Sequence, residues 1–465
     1  MFEFNLDKHE YKYVHFIGIG GISMSGLAQL LLAKGYEVSG SDRADTKIIN
    51  HLRDLGAKIY IGQKKENITN PDLVVYTDAI LDDNEELIAA KNVGCPVVTR
   101  GVFLGALMRN YKNSIAVSGS HGKSTTTSMI SKILMHSNVD ATILLGGVLE
   151  EMRGNVRVGS EDYLVTEACE YKGNIRYYYP QTLIVLNIDE DHLDYYKDLD
   201  DIVNTFKEYL SNQDENSITI TNLNEENNKL IFDSVKGRLI TYAQENNQAD
   251  YNAVNIKFDD LGRPNFDLRF PNGNLEHFEL GVIGRHNINN AMASIIATYE
   301  NGIDISTIRN NILKYTGLDR RMQIIGDVGG ATIMTDYGHH PSEIKVTLDA
   351  VAEHTKGKLI CVWQPHTYSR TKTLFNDFLN CFDAADEVIV TDIYAAREKF
   401  DPSIHSKDVV DALVRKGINA KYIGEFEDAR DYIYTIINKN DLVITTGCGN
   451  PDVLARMIVE DSKNM

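Results

Sequence analysis

Residues Gly119-Ser120-His121-Gly122-Lys123-Ser124-Thr125 place two glycines, a lysine and three hydroxyls just after the apolar stretch Ile115-Ala116-Val117. A strand that runs into a glycine turn and then opens a helix can wrap backbone N–H groups around phosphates. It sets Lys123 against their outer charge and offers Ser124 to a metal ion. The chemistry implied is the use of a nucleoside triphosphate. The common phosphate loop carries glycine at the position held here by Val117, so this turn follows a shorter and less widespread pattern.

Other residue sets fall where strands should end. Glu167-Ala168-Cys169-Glu170 and Asn187-Ile188-Asp189-Glu190-Asp191-His192-Leu193-Asp194 each follow an apolar run. If those strands neighbour the phosphate turn, their hard oxygens and one imidazole suit Mg²⁺ beside the Ser124 hydroxyl. Gly284-Arg285-His286-Asn287-Ile288-Asn289-Asn290 opens a helix. Asn287 and Asn290 share a helix face there, where paired amides could read an adenine edge; capping explains an Asn at a helix start equally well. Near the N-terminus, Gly18-Ile19-Gly20-Gly21-Ile22-Ser23-Met24-Ser25-Gly26 lies between strand and helix, with Asp42 after the next strand. This suits a diphosphate on a helix N-terminus and a ribose hydroxyl on Asp42. Ser23 stands where a dinucleotide fingerprint has its third glycine, which argues against NAD. In the last third, Asp336-Tyr337-Gly338-His339-His340, Gln364-Pro365-His366 with Arg370, Asp392 and Gly447-Cys448-Gly449-Asn450 all follow strand-like runs. In open parallel sheets, ligands bind beyond the carboxyl ends of the strands.

The elements that must position these residues alternate strand and helix, the rhythm of parallel sheets with right-handed crossovers. The sequence predicts an α/β protein of three domains. Residues 1–111 form an N-terminal Rossmann-like domain, 112–317 a central P-loop-type ATP-binding domain, and 318–465 a C-terminal Rossmann-like domain with a parallel sheet. Within the central domain, residues 222–280 are rich in Asn, Glu and Gln, and they predict an antiparallel excursion that includes Leu239–Tyr242. The length of 465 residues fits this count. A net charge of −19 argues against a duplex nucleic-acid surface. No apolar run is long enough to cross a bilayer. The N-terminus has no secretory pattern, and the five scattered cysteines read as reduced thiols, so a cytoplasmic location is expected, as monomer or homodimer.

Together these motifs resemble the Mur ligase family, and the match runs through all three domains. The resemblance implies ATP- and Mg²⁺-dependent amide bond formation that joins L-alanine to the lactyl carboxylate of UDP-N-acetylmuramate through an acyl phosphate. It assigns the sugar nucleotide to Gly18, Gly20, Gly21, Ile22, Ser23, Met24, Ser25, Asp42 and Thr77. ATP goes to Gly119, Ser120, His121, Gly122, Lys123, Ser124 and Thr125, with Asn287 and Asn290 at the adenine and Arg320, Arg321 and Asp336 closing onto the nucleotide. Magnesium goes to Ser124, Glu167 and His192, and the amino acid to Tyr337, His339, His366 and Arg370. Lys123, Glu167, His192 and His339 are the residues expected to act in the chemistry. Cys169 and Tyr171 depart from the family's usual Asp and Ser and receive no role. A muropeptide-recycling ligase of the same family is the alternative reading. An NAD-dependent oxidoreductase is a more distant one that leaves the phosphate turn unexplained.

Overall fold

The protein is described from a computed structural model that covers residues 2–192, 195–259, 262–396 and 398–463. Its first sheet contains β1 (Tyr13–Ile17), β2 (Glu37–Asp42), β3 (Lys58–Ile61), β4 (Leu73–Tyr76) and β5 (Val97–Thr99). The order is β3-β2-β1-β4-β5, and every pairing is parallel. Side chains on these strands alternate between two apolar layers: Phe16 and Val75 join the layer with Leu27 and Phe103, while Ile17 and Val74 pack with Leu87 and Ala90. Burial on both faces explains why the strands read as unbroken apolar runs. The order reverses between β1 and β4, which opens a crevice beyond their carboxyl ends.

The second sheet runs through β6 (Asn113–Ser118), β7 (Ala141–Leu149), β8 (Gly154–Arg157), β9 (Tyr163–Glu167) and β10 (Thr182–Val185). It continues through β11 (Ile218–Asn222), β12 (Arg238–Gln244), β13 (Tyr251–Phe258), β14 (Pro264–Arg269) and β15 (Leu275–Glu279). Its order is β15-β14-β13-β12-β11-β10-β6-β9-β7-β8. The strand before the phosphate turn, β6, lies between β10 and β9 and is parallel to both. Glu167 and the 187–192 segment are therefore delivered beside the turn. The expected antiparallel excursion needs correction at Leu239–Tyr242, because β12 pairs parallel with β11 and with β13. Alternating burial has the same period in parallel and antiparallel strands, so the pattern could not separate them. An antiparallel pair does occur on the other edge, between β7 and β8.

The third sheet holds β16 (Gln323–Val328), β17 (Ala331–Asp336), β18 (Leu359–Trp363), β19 (Glu387–Val390), β20 (Ala420–Tyr422) and β21 (Leu442–Thr446) in the order β16-β17-β21-β18-β19-β20. It is parallel except for β16, which pairs antiparallel with β17. The hairpin turns at Gly329 and Gly330, both at positive φ, 61° and 86°. That backbone suits glycine and the twist of a two-residue hairpin.

The chain packs as two compact units, one of residues 1–255, 266–278 and 289–315, the other of 256–265, 279–288 and 316–465. Inside the first unit, one apolar core continues from Phe16, Leu27 and Phe103 to Ala116, Leu164 and Phe206. The change of sheet near residue 111 is thus no break in the core. Helix Arg100–Met108 meets the 171–177 turn at backbone distance: a Cβ on Gly101 would lie 2.0 Å from Asn174 Oδ1, and one on Gly105 1.8 Å from the Tyr177 carbonyl oxygen. No helix among the described residues is long and apolar enough to cross a membrane.

Candidate active site

The phosphate turn bends through Gly119 (φ 130°) and Gly122 (φ 85°) into helix Lys123–Met135. Gly122 also lacks room for a side chain, since a Cβ would stand 2.6 Å from Asn290 Oδ1. The segment after β10 clamps the turn. Ser120 N–H donates to the Asn187 carbonyl (3.1 Å) and His121 N–H to Asn187 Oδ1 (2.8 Å), while Asp189 N–H donates to Ser120 Oγ (2.8 Å). The first N–H groups of the helix have no intrahelical acceptor by geometry and supply a positive dipole end.

Lys123 turns back over this loop. Its Nζ donates to Ser120 O (3.1 Å) and Gly119 O and sits 3.0 Å from both carboxylate oxygens of Glu170. Both side chains are buried, with 14% and 3% of their surfaces exposed. Burial by itself would depress the ammonium pKa, but the Glu170 charge outweighs it and raises it. Glu170 stood in the strand-end set Glu167–Glu170 but received no individual role from the resemblance. The signal for it was physical: a lysine buried in a loop needs a nearby carboxylate.

Two groups of candidate metal ligands form. Ser124 Oγ donates to Glu167 Oε2 (3.0 Å), and the other Glu167 oxygen accepts from Gly146 N–H (2.7 Å). His192 Nε2 lies 3.6 Å from Glu170 Oε1 and 3.7 Å from Asp191 Oδ2. Ligand atoms of Glu170, Asp191 and His192 lie within 4.8 Å of one another. His192 holds a left-handed backbone (φ 55°), and its ring packs on Tyr171 at 4.8 Å. Leu193 and Asp194 lie outside the described residues. Cys169 is unsuited to nucleophilic work, because burial and then Glu170 push its thiol up to about 11. Asn287 and Asn290 are both buried in helix His286–Glu300; Asn290 accepts from Thr126 Oγ1 (3.3 Å), and Asn287 donates to the Ile283 carbonyl (2.8 Å).

In the first sheet the glycine turn follows β1. A Cβ on Gly18 (φ 83°) would stand 2.5 Å from Thr77 Cγ2. Asp42 Oδ2 accepts from Gly20 N–H (2.9 Å) and Oδ1 from Arg43 N–H (2.7 Å), so this carboxylate shapes the turn itself. Gly21 precedes helix Ile22–Ala33, in which Met24 points into the core and Ser25 Oγ donates to Ile22 O (2.9 Å). Ser23 Oγ lies 3.4 Å from an Arg100 guanidinium nitrogen.

The third-sheet residues gather at the carboxyl ends of β17, β18 and β21. The His339 ring lies 5.8 Å from Tyr337 and 6.3 Å from His366, and Arg370 Nη1 is 3.4 Å from His366 Nδ1. Arg320 and Arg321 sit over the Tyr337 ring at 4.8 and 5.2 Å, and Arg320 donates to the carbonyls of Gly447 and Gly449 (3.1 and 2.8 Å). Burial lowers both imidazoles; His366, also repelled by Arg370, falls to about 4. Both are neutral near pH 7. Asp336 is buried, with its pKa raised by that burial. Its oxygens accept from Met322 N–H (2.9 Å), Gly338 N–H (2.8 Å) and Thr347 Oγ1 (3.3 Å). It fastens the loop that carries Tyr337 and His339. Helix Tyr368–Thr373, which bears Arg370, is fixed by Glu398, whose Oε2 accepts from Tyr368 and Ser369 N–H groups (2.7 and 3.0 Å). Glu398 carries no motif signal, since it lies far from Arg370 in sequence.

Three family models match the chain in succession: the Mur ligase family catalytic domain over residues 13–112, the Mur ligase middle domain over 117–298 and the Mur ligase glutamate ligase domain over 320–449. The UDP-N-acetylmuramate–L-alanine ligase of Alkaliphilus metalliredigens is 43% identical over 99% of this chain and 100% of its own length. Among solved structures, the UDP-N-acetylmuramate–alanine ligase of Thermotoga maritima is 26% identical, covers 97% of this chain and 99% of that one, and superposes with a TM-score of 0.80. A murein peptide ligase from Psychrobacter arcticus shares the fold at 23% identity and a TM-score of 0.71, covering 98% of this chain and 99% of that one.

Proposed function

The chain belongs to the Mur ligase family, and we propose that it joins L-alanine to the lactyl carboxylate of UDP-N-acetylmuramate, with cleavage of ATP to ADP and phosphate. The observation that carries this reading is the rim of Tyr337, His339, His366 and Arg370. A guanidinium there can take an amino acid's carboxylate bidentately, and two neutral imidazoles can orient its amine and accept the amine's proton. The Alkaliphilus relative, named for this activity, supports the choice of L-alanine.

In this reading the lactyl carboxylate attacks the γ-phosphoryl group to give an acyl phosphate and ADP. The alanine amine then attacks the activated carbonyl, and phosphate leaves. Lys123, kept charged by Glu170, neutralises the phosphoryl oxygens, while the helix N–H groups behind Gly122 hold the phosphates. The donor set of Ser124, Glu167, Glu170, Asp191 and His192 is mostly hard oxygen and fits Mg²⁺. When bound there, the ion would add positive charge against the same oxygens. The glycine turn after β1 would hold the sugar nucleotide's diphosphate. Dependence on ATP supports a cytoplasmic location.

Phosphate release in the presence of ATP, UDP-N-acetylmuramate and one of L-Ala, Gly, L-Ser, D-Glu or tripeptide tests the assignment. L-Ala is expected to give the highest kcat/KM. A preference for tripeptide would move the protein to the muropeptide-recycling activity.

A further inference from the structure

Arg100 opens the helix Arg100–Met108 that follows β5, the strand next to β4. It is partly buried, and a guanidinium nitrogen lies 3.4 Å from Ser23 Oγ in the first turn of the helix after the glycine turn. Its surroundings hold charge but do not balance it. No carboxylate among the described residues forms an ion pair with it. Asp78, whose Oδ2 accepts from Asn174 Nδ2 (2.8 Å), acts on Arg100 through its charge without a hydrogen bond or ion pair to it. The phenol of Tyr178, fully buried, lies close enough for the two groups to bias each other's ionisation, yet a neutral phenol is no counter-charge. A partly desolvated guanidinium without an anion is unfavourable unless a ligand completes it.

The position is not accidental packing of a long surface side chain. Gly101 and Gly105 let the helix approach the 171–177 turn at backbone distance, which fixes where Arg100 begins. The same turn places Lys172 Nζ 2.6 Å from the Asp78 carbonyl, so a second cation borders the crevice. Ser23 and the preceding glycine turn present a helix N-terminus to that same space.

Resting on the sugar-nucleotide reading above, we propose that Arg100 is a substrate-binding residue whose guanidinium pairs with the diphosphate of the UDP-sugar, across Ser23 from the glycine turn. Two planar N–H donors suit phosphate oxygens, and the pair would complete a charge that the protein leaves open. The turn Tyr171–Tyr177 thereby becomes a wall of the sugar-nucleotide site, although it lies between strands of the sheet that carries the phosphate turn.

The test is titration calorimetry of the full-length protein with UDP, UDP-N-acetylglucosamine and UDP-N-acetylmuramate, in wild type, Arg100→Met and Arg100→Lys, with a non-hydrolysable ATP analogue as a second ligand. Arg100→Met is expected to weaken all three uridine ligands by about tenfold to a hundredfold. It should leave the ATP analogue unchanged and flatten the salt dependence of UDP binding; Arg100→Lys should recover part of the affinity. A loss confined to UDP-N-acetylmuramate would move Arg100 to the lactyl carboxylate and overturn the diphosphate assignment, as would unchanged binding of all three. Should Arg100→Met also lose the ATP analogue, Arg100→Lys decides: UDP affinity above that of Met with a wild-type salt slope supports the charge pairing, and a loss equal to that of Met overturns it. Failure of the wild type to bind UDP-N-acetylmuramate would instead count against the sugar-nucleotide reading itself.

Discussion

The phosphate turn and the third-sheet rim both lie at the carboxyl ends of parallel strands, yet they handle charge in opposite ways. At the turn the side chains that would meet an anion or a cation already have internal partners: Lys123 holds Glu170 and Ser124 holds Glu167, while the 187–189 segment holds the loop. At the rim the cation is left open. Arg370 has a histidine rather than a carboxylate beside it among the described residues, and burial strips charge from His339 and His366. A site for a triphosphate tail needs its lysine kept charged before the ligand arrives, and a buried carboxylate does that. A site for a zwitterionic amino acid needs one fixed cation and an uncharged base.

That contrast can be broken most sharply at Lys123. Lys123→Ala is expected to lower turnover by about a thousandfold or more, with UDP-N-acetylmuramate binding within a few-fold of wild type. It also leaves the buried Glu170 charge with only His192 beside it among the described residues, at 3.6 Å, a destabilisation of up to about 3–5 kcal/mol. Adding Glu170→Gln should return much of that stability in a denaturant melt and none of the turnover. If the single variant were as stable as wild type, the pairing would not be what holds the turn.

Glu170→Gln alone is the next largest effect. It should raise the Mg²⁺ concentration needed for half-maximal activity by roughly tenfold to a hundredfold, because it removes both a candidate ligand and the lysine's partner. At the rim, Arg370→Lys is expected to raise KM for L-alanine by about tenfold while leaving KM for ATP unchanged, since a point charge replaces a planar fork. A rise confined to ATP would erase the division of labour between the two regions.

The smallest effect concerns pH. The folded His366 pKa, about 4, lies below its unfolded value near 6.5. The unfolded state then binds the extra proton between those values, so this residue's contribution to stability is present above about pH 6.5 and is lost as pH falls toward 4. His286, lowered to about 4 by burial, acts in the same direction. Melting temperature should fall through this window and fall less steeply in His366→Gln. An equal slope in that variant would remove His366 from the explanation.

The sequence made the turns legible and hid their partners. Gly119 to Thr125, the glycine turn at Gly18, and the strand ends at Asp336 and His366 announce themselves because each element type and each ligand type demands particular residues at short spacing. Glu398 and Arg100, and the pairing of Glu170 with Lys123, were silent for the converse reason. The roles of Glu170, Glu398 and Arg100 depend on residues 47, 30 and 77 positions away, which only folding brings close. The antiparallel β16 escaped because its signal is a bare Gly329-Gly330 pair, and β12 was misassigned because alternation does not encode strand direction. The buried cluster of His15, Ser39, Ser41, Asn67 and Glu86 in the first sheet was likewise unreadable, since its members are spread from β1 to the helix after β4.

The central claim is that the lactyl carboxylate is activated by phosphorylation before the amine attacks. UDP-N-acetylmuramate labelled with ¹⁸O in that carboxylate, incubated with the protein, ATP, Mg²⁺ and L-alanine, tests it directly through the ³¹P isotope shift of the released phosphate. The reaction proposed here requires one carboxylate oxygen to leave in phosphate, so labelled phosphate should appear in step with the alanyl product. Product formed with unlabelled phosphate would contradict it.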